Sequence, residues 1–323
     1  MRHWSQAIRS ARPFRLLAAE LLAVTLAGCQ TAELSPAGLG IATLSDQSVA
    51  EIRGRSVLVM DYQSGRILEA ENPDALRYPA SLSKMMTLYL LFEAVDTGRI
   101  SLDTELVVSA EAAAEPPSKL GFKPGETISV RDAAQALATK SANDVAVAVA
   151  ENLGGTQENF AAVMTAKARS LGMRNTRFVN ASGLPDPRQI STARDMAILA
   201  RALISRNQRY MPMFRVTEFI FKGRTYRATN KLLGKVEGVD GLKTGYIRDS
   251  GFHLVATALR GGRRIIVVVM GGQTGAVRNA EATALIVVPL LTLLVSMLFA
   301  GAVAVRLFGR ETGGWAVLIA GLM

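Results

Sequence analysis

The stretch Tyr78-Pro79-Ala80-Ser81-Leu82-Ser83-Lys84 opens the long apolar run of residues 85–95. Because proline is favoured at the start of a helix, the sequence predicts that Ser81 and Lys84 lie in a first helical turn. Residues three apart share one face of a helix, so the hydroxyl and the amine come within reach of each other. A serine becomes a nucleophile when a neighbour takes its proton, and a lysine can take it only where burial or a second cation has removed its own charge.

Two further short motifs follow along the chain. Ser141-Ala142-Asn143 begins 60 residues after Ser81, and Lys243-Thr244-Gly245 begins 102 residues after Ser141. Each motif is common by itself, since Ser205-Arg206-Asn207 repeats the second pattern and an exposed helix start would explain the first equally well. The order and spacing of the three motifs therefore carry the functional information.

Other hydrolytic chemistries need residues that this chain lacks. After residue 28 the only histidine is His253, within a strand pattern, where a packed or edge-facing ring is expected rather than a member of a Ser-His-Asp triad. The chain has one cysteine, Cys29, and no His-x-x-x-His pair, so the sequence predicts neither an internal disulfide nor a metal site. It also contains no Gly-x-x-x-x-Gly-Lys phosphate loop. Lysine-assisted serine chemistry without a cofactor is the interpretation that remains.

The three motifs in this order resemble those of the penicillin-recognising serine hydrolases. The residues between them are similar to the low-molecular-weight D-alanyl-D-alanine carboxypeptidases, which remove the last D-alanine from peptidoglycan stem peptides and are inhibited by penicillins. Besides the motifs, the similar segments are Phe-Val-Asn-Ala-Ser-Gly-Leu-Pro at residues 178–185, Ser-Thr-Ala-Arg-Asp at 191–195 and Val-Asp-Gly-Leu at 239–242. The resemblance covers roughly residues 55–285.

The resemblance implies a role for each motif residue. Ser81 is the nucleophile that forms the acyl-enzyme, and Lys84 as the free amine removes its proton. Ser141 relays a proton to the nitrogen of the leaving D-alanine. Asn143 holds Lys84 and the substrate amide, and Lys243 is the second cation, which lowers the pKa of Lys84 and faces the substrate.

The third motif continues into a strand pattern, which the resemblance makes the edge strand along which the substrate lies. Gly245 would leave room for the substrate backbone. The backbone N–H groups of Ser81 and Tyr246 would hold the oxyanion. Thr244 and Arg278, the arginine that matches by position, would bind the terminal carboxylate of the substrate, although Arg278 is also explained as a surface charge on a helix.

Three related functions share the motifs. A β-lactamase needs in addition a carboxylate that drives water onto the acyl-enzyme, whereas the loop of residues 178–190 offers only Asp186, and Ala142 departs from the aspartate typical of class A enzymes. A D,D-endopeptidase of the same family, which cuts cross-links, is an open alternative. A non-catalytic peptidoglycan-binding module is another, although the intact Ser81 and Lys84 argue against it.

Strand patterns lie at both ends of the similar region and helical patterns lie in its middle. Two pairs of strands are predicted around turn residues, at 56–60 with 66–70 and at 252–259 with 264–270. Helical patterns cover residues 131–140, 144–152, 157–171 and 192–204, the last opened by Thr192 as a cap.

The apolar residues 265–270 hardly alternate with polar ones, so their strand is predicted to be covered on both faces. The sequence thus predicts an α+β fold with an antiparallel sheet flanked by helices, a second helical lobe and a cleft between them. The resemblance implies the same fold, that of the β-lactamases and transpeptidases.

The N-terminus is typical of an exported protein. Residues 1–28 combine basic residues up to Arg15 with an apolar stretch and small residues, as in a signal peptide. Leu26-Ala27-Gly28-Cys29 has the form of a bacterial lipoprotein cleavage box, which makes Cys29 a candidate lipidation site, although Glu20 interrupts the apolar stretch. Residues 29–54 are predicted to be a linker, and residues 55–283 the catalytic domain.

The C-terminus contains a second apolar run. Residues 284–305 carry no charge and, as a helix, would extend about 33 Å, enough to cross a bilayer. Arg306 and Arg310 follow on the side expected to face the cytoplasm, with residues 306–323 as a short tail. Pro289 interrupts the run, and the last domain helix is expected at residues 276–288, so one kinked helix would serve both purposes. These features predict a protein on the periplasmic face of the inner membrane.

The charge of the chain indicates which partners to expect. The net charge is +10, and removing the four arginines and one glutamate of residues 1–28 leaves +7. This mild basic bias suits an anionic lipid surface or cell wall. Because the chain has no long run of lysines and arginines, nucleic acid is not an expected partner. The expected partners are the peptidoglycan pentapeptide, β-lactams and the membrane.

Overall fold

The computed structural model describes residue 52 and residues 54–287. The predicted leader, Cys29, nearly all of the linker and the greater part of the predicted membrane-spanning run lie outside these residues. The elements in chain order are β1 (Ser56–Asp61), β2 (Ile67–Glu71), α1 (Lys84–Asp96), β3 (Glu105–Val107), α2 (Ala110–Ala114), β4 (Thr127–Ser129), α3 (Val130–Thr139), α4 (Asn143–Gly154), α5 (Gln157–Leu171), α6 (Ala193–Arg206), β5 (Glu218–Phe221), β6 (Arg224–Arg227), β7 (Val239–Ile247), β8 (Gly251–Arg260), β9 (Arg263–Gly272) and α7 (275–287). Two 3-10 helices, Ala80–Ser83 and Gln208–Phe214, complete the set.

Five strands form the central antiparallel sheet, in the order β2-β1-β9-β8-β7. Both predicted hairpins are confirmed, β1 with β2 and β8 with β9. The second turns at Gly261 and Gly262, whose φ angles of 51° and 71° suit the two-residue turns that match the twist of paired strands. Strand β7, which carries the third motif, lies at one edge of the sheet, as predicted.

Strand β9 is buried on both faces, which confirms the prediction from its unbroken apolar run. Side chains alternate across a strand, so neighbouring residues enter different cores. Ile266, Val268 and Met270 pack in the large core that also contains α1. Ile265, Val267 and Val269 pack in a smaller core with Ala282, Leu285 and Ile286 of α7. Helix α7 therefore covers one face of the sheet, and the helical lobe covers the other.

The helical lobe contains the four helices predicted from pattern, α3 to α6. Three of them begin at a hydroxyl side chain that accepts the backbone N–H three residues on, namely Ser129, Thr156 and Thr192. The predicted cap at Thr192 is thereby confirmed. The carboxylate of Asp195 accepts from the N–H of Asn175 and the hydroxyl of Thr176, so the start of α6 is fastened to the loop that precedes residues 178–190.

Helix α7 runs past the predicted domain boundary at residue 283. Residues 284–287 continue the helix, and Leu285 and Ile286 are buried against the sheet. The start of the run predicted to enter the membrane thus belongs to this domain, because the apolar face of the sheet needs a cover. No helix within residue 52 and residues 54–287 is long and apolar enough to cross a membrane. A span beyond residue 287 stays a prediction.

Candidate active site

Ser81 lies in the 3-10 helix Ala80–Ser83, which leads directly into α1. Pro79 caps this helix with a φ of −71°, in agreement with its predicted place at a helix start. The predicted single α-helical turn is wrong in one detail, since the helix changes from 3-10 to α only at Lys84. The change does not separate the two side chains, because Nζ of Lys84 lies 3.2 Å from Oγ of Ser81.

The amine of Lys84 has three oxygen neighbours. They are Oγ of Ser81, Oδ1 of Asn143 at 2.7 Å and the backbone carbonyl of Ser182. The amide oxygen and the carbonyl only accept hydrogen bonds, and they use both N–H bonds of a neutral amine. Its lone pair then faces the remaining neighbour, the hydroxyl of Ser81. This arrangement suits a lysine that accepts a proton from the serine.

The surroundings of Lys84 favour this neutral form. The side chain is completely buried, and this burial, together with the positive charge of Lys243, holds the pKa of Lys84 well below its usual value. The carboxylates of Glu115 and Asp144 act in the opposite direction but more weakly. The predicted combination of burial and a second cation is therefore present.

The second motif faces Lys84 from the loop between α3 and α4. Asn143 is the first residue of α4, and its Nδ2 donates to the carbonyl of Pro116 while its Oδ1 accepts from Lys84. Ser141 has a φ of 64°, a conformation that costs free energy for any residue with a side chain. Its Oγ is buried and has no hydrogen-bond partner among the described residues, which leaves it available to a ligand.

The third motif lies on β7, on the sheet side of the same cleft. Nζ of Lys243 donates to the carbonyl of Thr244 at 2.9 Å. Burial and the neighbouring Arg278 lower the pKa of Lys243 to about 7. Thr244 donates from its hydroxyl to Thr229 at 2.7 Å. Arg278 is itself buried, and NH1 of its guanidinium donates to the carbonyl of His253. It is therefore not the surface charge that was the alternative interpretation.

Two glycines allow backbone to approach the nucleophile. A Cβ atom on Gly183, whose φ is +82°, would lie 1.9 Å from the carbonyl oxygen of Ala80. A Cβ atom on Gly245 would lie 3.2 Å from the carbonyl oxygen of Pro79 and 3.3 Å from the nitrogen of Leu82. The glycine of the third motif thus makes room for the turn that carries Ser81, whereas the sequence predicted room for the substrate.

Residues of all three motifs line one cleft of about 360 Å³ between the sheet and the helical lobe, although the buried Lys84 and Lys243 are not among them. Ser81, Ser141, Asn143, Thr244, Gly245, Tyr246 and Arg278 line it, together with residues that the sequence did not single out, among them Lys140, Leu184, Thr229 and Phe252. Thr229 has no motif of its own, and only its contact with Thr244 identifies it. A larger cavity of about 660 Å³ near Tyr62 and Arg201 contains none of the motif residues.

His253 is a structural residue, as the sequence indicated. Its ring is fully buried, and Nδ1 accepts from the N–H of Gly271 while Nε2 lies 3.0 Å from the carbonyl of Tyr78. Burial lowers the pKa of His253 to about 4, so the ring is neutral at ordinary pH. It fastens β8 to the residues just before the nucleophile and does not face the cleft.

Known proteins match both the sequence and the fold. A family model described as D-alanyl-D-alanine carboxypeptidase matches residues 43–274. The D-alanyl-D-alanine carboxypeptidase DacD of Escherichia coli (strain K12) is 39% identical over 243 residues, which are 73% of this chain and 63% of that protein. The solved structure of penicillin binding protein 6B from Escherichia coli is 38% identical, with a TM-score of 0.68, and the match covers 72% of this chain and 75% of that one. Penicillin-Binding Protein D2 from Listeria monocytogenes in the cefotaxime-bound form is 33% identical, with a TM-score of 0.65, and the match covers 72% of this chain and 97% of that one.

These matches confirm the predicted fold of an antiparallel sheet with a helical lobe. The chain spans 60 to 63%, about three fifths, of the length of DacD from Escherichia coli and of two other curated carboxypeptidases that it matches. The family match covers more than half of the chain and contains all three motifs, from Ser81 to Gly245. The protein therefore belongs to the D-alanyl-D-alanine carboxypeptidase family.

Proposed function

We propose that this protein is a serine-type D-Ala-D-Ala carboxypeptidase, which removes the terminal D-alanine from peptidoglycan stem peptides through an acyl-enzyme on Ser81. The observation that carries the proposal is the position of Lys84. Its amine is buried, lies 3.2 Å from Oγ of Ser81 and donates its N–H bonds to neutral oxygen acceptors. A lysine in this state can take the proton of the serine at neutral pH.

The reaction has two chemical steps. Oγ of Ser81 attacks the carbonyl carbon of the penultimate D-alanine, and its proton moves to Lys84. The tetrahedral intermediate then collapses, a proton passes through Ser141 to the amide nitrogen, and the C–N bond breaks to release D-alanine. A water molecule attacks the resulting ester, with Lys84 again as base, and regenerates the hydroxyl of Ser81.

The cleft supplies the binding groups that this chemistry requires. The backbone N–H groups of Ser81 and Tyr246 would stabilise the oxyanion. Asn143 would bind the substrate amide through the side chain that also holds Lys84. Arg278 and Thr244 would bind the terminal carboxylate, which explains why a guanidinium is buried at the end of a cleft that carries no carboxylate among its lining residues.

Penicillins would acylate Ser81 in the same cleft, because the spacing of their strained amide and their carboxylate is similar to that of the scissile amide and the terminal carboxylate of the peptide. A β-lactamase function is less well supported, because Asp186, the only acid in the loop of residues 178–190, pairs with Arg188 at 2.7 Å and does not line the cleft.

We further propose that the protein is exported to the periplasmic face of the bacterial inner membrane. This rests on residues 1–28 and 288–305, with a lipid on Cys29 as the alternative anchor.

Labelled penicillin tests the assignment of the nucleophile. The Ser81→Ala variant is expected to lose all covalent labelling and all release of D-alanine from a pentapeptide, while keeping its melting temperature. The matched control is Ser205→Ala, which alters the exposed serine of the second Ser-x-Asn sequence and should label normally. If Ser81→Ala still became labelled at another serine, the proposal would be wrong.

A further inference from the structure

A second groove lies beside the catalytic cleft, at the hairpin of β5 and β6. We call it the hairpin groove and define it by six of its lining residues: Phe122, Lys123, Phe221, Lys222, Arg224 and Tyr226. Its volume is about 230 Å³. The hairpin turns tightly at Lys222 and Gly223, whose φ angles are 46° and 74°. Lys222 and Arg224, two of the three cations of the hairpin, therefore flank its turn and line the groove.

Aromatic rings form the floor of the hairpin groove. The rings of Phe122 and Phe221 lie 5.6 Å apart, and those of Phe219 and Tyr226 lie 6.2 Å apart. The amine of Lys222 lies over the rings of Phe122 and Phe221, at 5.0 and 5.5 Å from their centroids. Lys222 therefore covers these two rings, and the groove presents its cations to solvent above a packed aromatic base.

The hairpin groove adjoins the catalytic cleft. Ser118 lines the cleft and Leu120, two residues later, lines the groove. Across from them, Nζ of Lys140 in the cleft lies 5.8 Å from the ring centre of Tyr226 in the groove. The hydroxyl of Tyr226 donates to the carbonyl of Leu120. One extended ligand can therefore reach from the catalytic cleft into the hairpin groove.

The charge of the groove selects the class of ligand. Lys123, Lys222 and Arg224 line it, and Glu126 is the only acid among its lining residues. Glu126 is already engaged, because it accepts from Nζ of Lys222 at 2.8 Å and from the N–H of Lys123 at 2.6 Å. Lys123 and Arg224 are exposed and have no ion pair among the described residues, so their charges are available to an anion.

We propose that the hairpin groove binds the carboxylate-bearing peptidoglycan polymer to which the substrate peptide is attached. This inference rests on the proposed function, since the D-alanyl end would occupy the catalytic cleft while the rest of the strand passes over the groove. The exposed cations Lys123 and Arg224 suit the free carboxylates of neighbouring stem peptides. The groove would thus give the enzyme affinity for the polymer that a short soluble peptide does not receive.

Binding to purified sacculi tests the groove without any need for catalysis. In the Ser81→Ala chain, the double substitution Lys123→Glu and Arg224→Glu is expected to weaken cosedimentation with sacculi about tenfold at low salt, since two exposed attractions become repulsions. The control is Arg66→Glu with Lys235→Glu, which makes the same change in net charge at exposed positions that line neither site. The control should bind as Ser81→Ala does.

Activity provides the second measurement, in chains with Ser81 intact. Lys123→Glu with Arg224→Glu should leave kcat/KM within twofold of wild type for a short D-Ala-D-Ala peptide whose only charge is its terminal carboxylate, yet slow D-alanine release from sacculi about tenfold. Equal sacculus binding by the groove variant and the control would overturn the inference. So would groove-dependent binding to vesicles of anionic lipid without binding to sacculi. If the wild type released no D-alanine from any peptide, the proposed function would fail, and the sedimentation experiment would still decide the groove.

Discussion

Nζ of Lys84 lies 2.7 Å from Oδ1 of Asn143, so a carboxamide rather than a carboxylate orients the base. A neutral acceptor fixes the position of the amine without adding the negative charge that would hold a proton on it. The adjacent carboxylate, that of Asp144, instead accepts from the N–H groups of Leu120 and Gly121. The start of α4 therefore positions Lys84 while its pKa stays low.

The substitution Asn143→Asp tests this relationship. A carboxylate in contact with Lys84 should raise the pKa of the lysine, which would slow acylation by penicillin about tenfold or more at pH 7. The rate should recover as the pH rises, because the lysine then loses its proton. Acylation rates between pH 6 and pH 10 measure the shift. The comparison variant Asn143→Ala should also slow acylation, but the pH at which the rate falls in acid should not move upward. If that pH did not rise in Asn143→Asp either, the argument would be contradicted.

Arg278 gives a prediction about the substrate carboxylate. The Arg278→Gln variant should lose about 30- to 100-fold in kcat/KM for a peptide that ends in D-Ala-D-Ala, since a charged hydrogen bond is lost. A peptide whose C-terminus is an amide should be a poor substrate for both enzymes, and its kcat/KM should fall little further when Arg278 is replaced. Measuring kcat/KM for both peptides with both enzymes gives the coupling free energy between Arg278 and the terminal carboxylate. If Arg278→Gln still preferred the free carboxylate as strongly as the wild type does, another residue would bind it.

Gly183 gives a prediction about backbone packing beside the nucleophile. Gly183→Ala places a methyl group 1.9 Å from the carbonyl oxygen of Ala80, so it should displace the turn that carries Ser81 and slow penicillin acylation at least about tenfold. Gly172→Ala is a matched control, because Gly172 has a similar φ of +90° but open space around it. That change should cost only about 1–2 kcal/mol and leave acylation unchanged. Equal acylation rates in the two variants would refute the contact.

His253 gives a prediction about stability in acid. Folding lowers its pKa from 6.5 to about 4, so between these pH values the unfolded chain binds a proton that the folded chain does not. The free energy of unfolding should therefore fall as the pH drops from 6.5 to 4, by about 3 kcal/mol from this residue, with no further loss below. Denaturant unfolding of wild type and His253→Gln at pH 7 and pH 4.5 isolates the effect. Parallel losses in the two proteins would show that other groups cause it.

The sequence by itself determined those features that depend on neighbouring residues or on periodic pattern. Gly261 and Gly262 indicate a hairpin because they accept positive φ angles, and Thr192 indicates a helix start because its hydroxyl reaches the N–H three residues on. The unbroken apolar run of β9 indicates burial on both faces because side chains alternate along a strand. The three motifs also predicted the nucleophile, its base and the cation beside it, and the structure brings these three residues together.

Only the tertiary structure decided what surrounds these residues, because the contacts join positions far apart in the chain. The carbonyl of Ser182 accepts from Lys84, and Thr229 holds the hydroxyl of Thr244, yet the sequence assigned a role to neither residue. Gly245 lies against the turn that carries Ser81, and it also lines the cleft. Lys123 and Arg224 share one groove although they are far apart in the sequence. Burial and the nearby Lys243 set the pKa of Lys84, and only the folded chain brings the cations of the groove together.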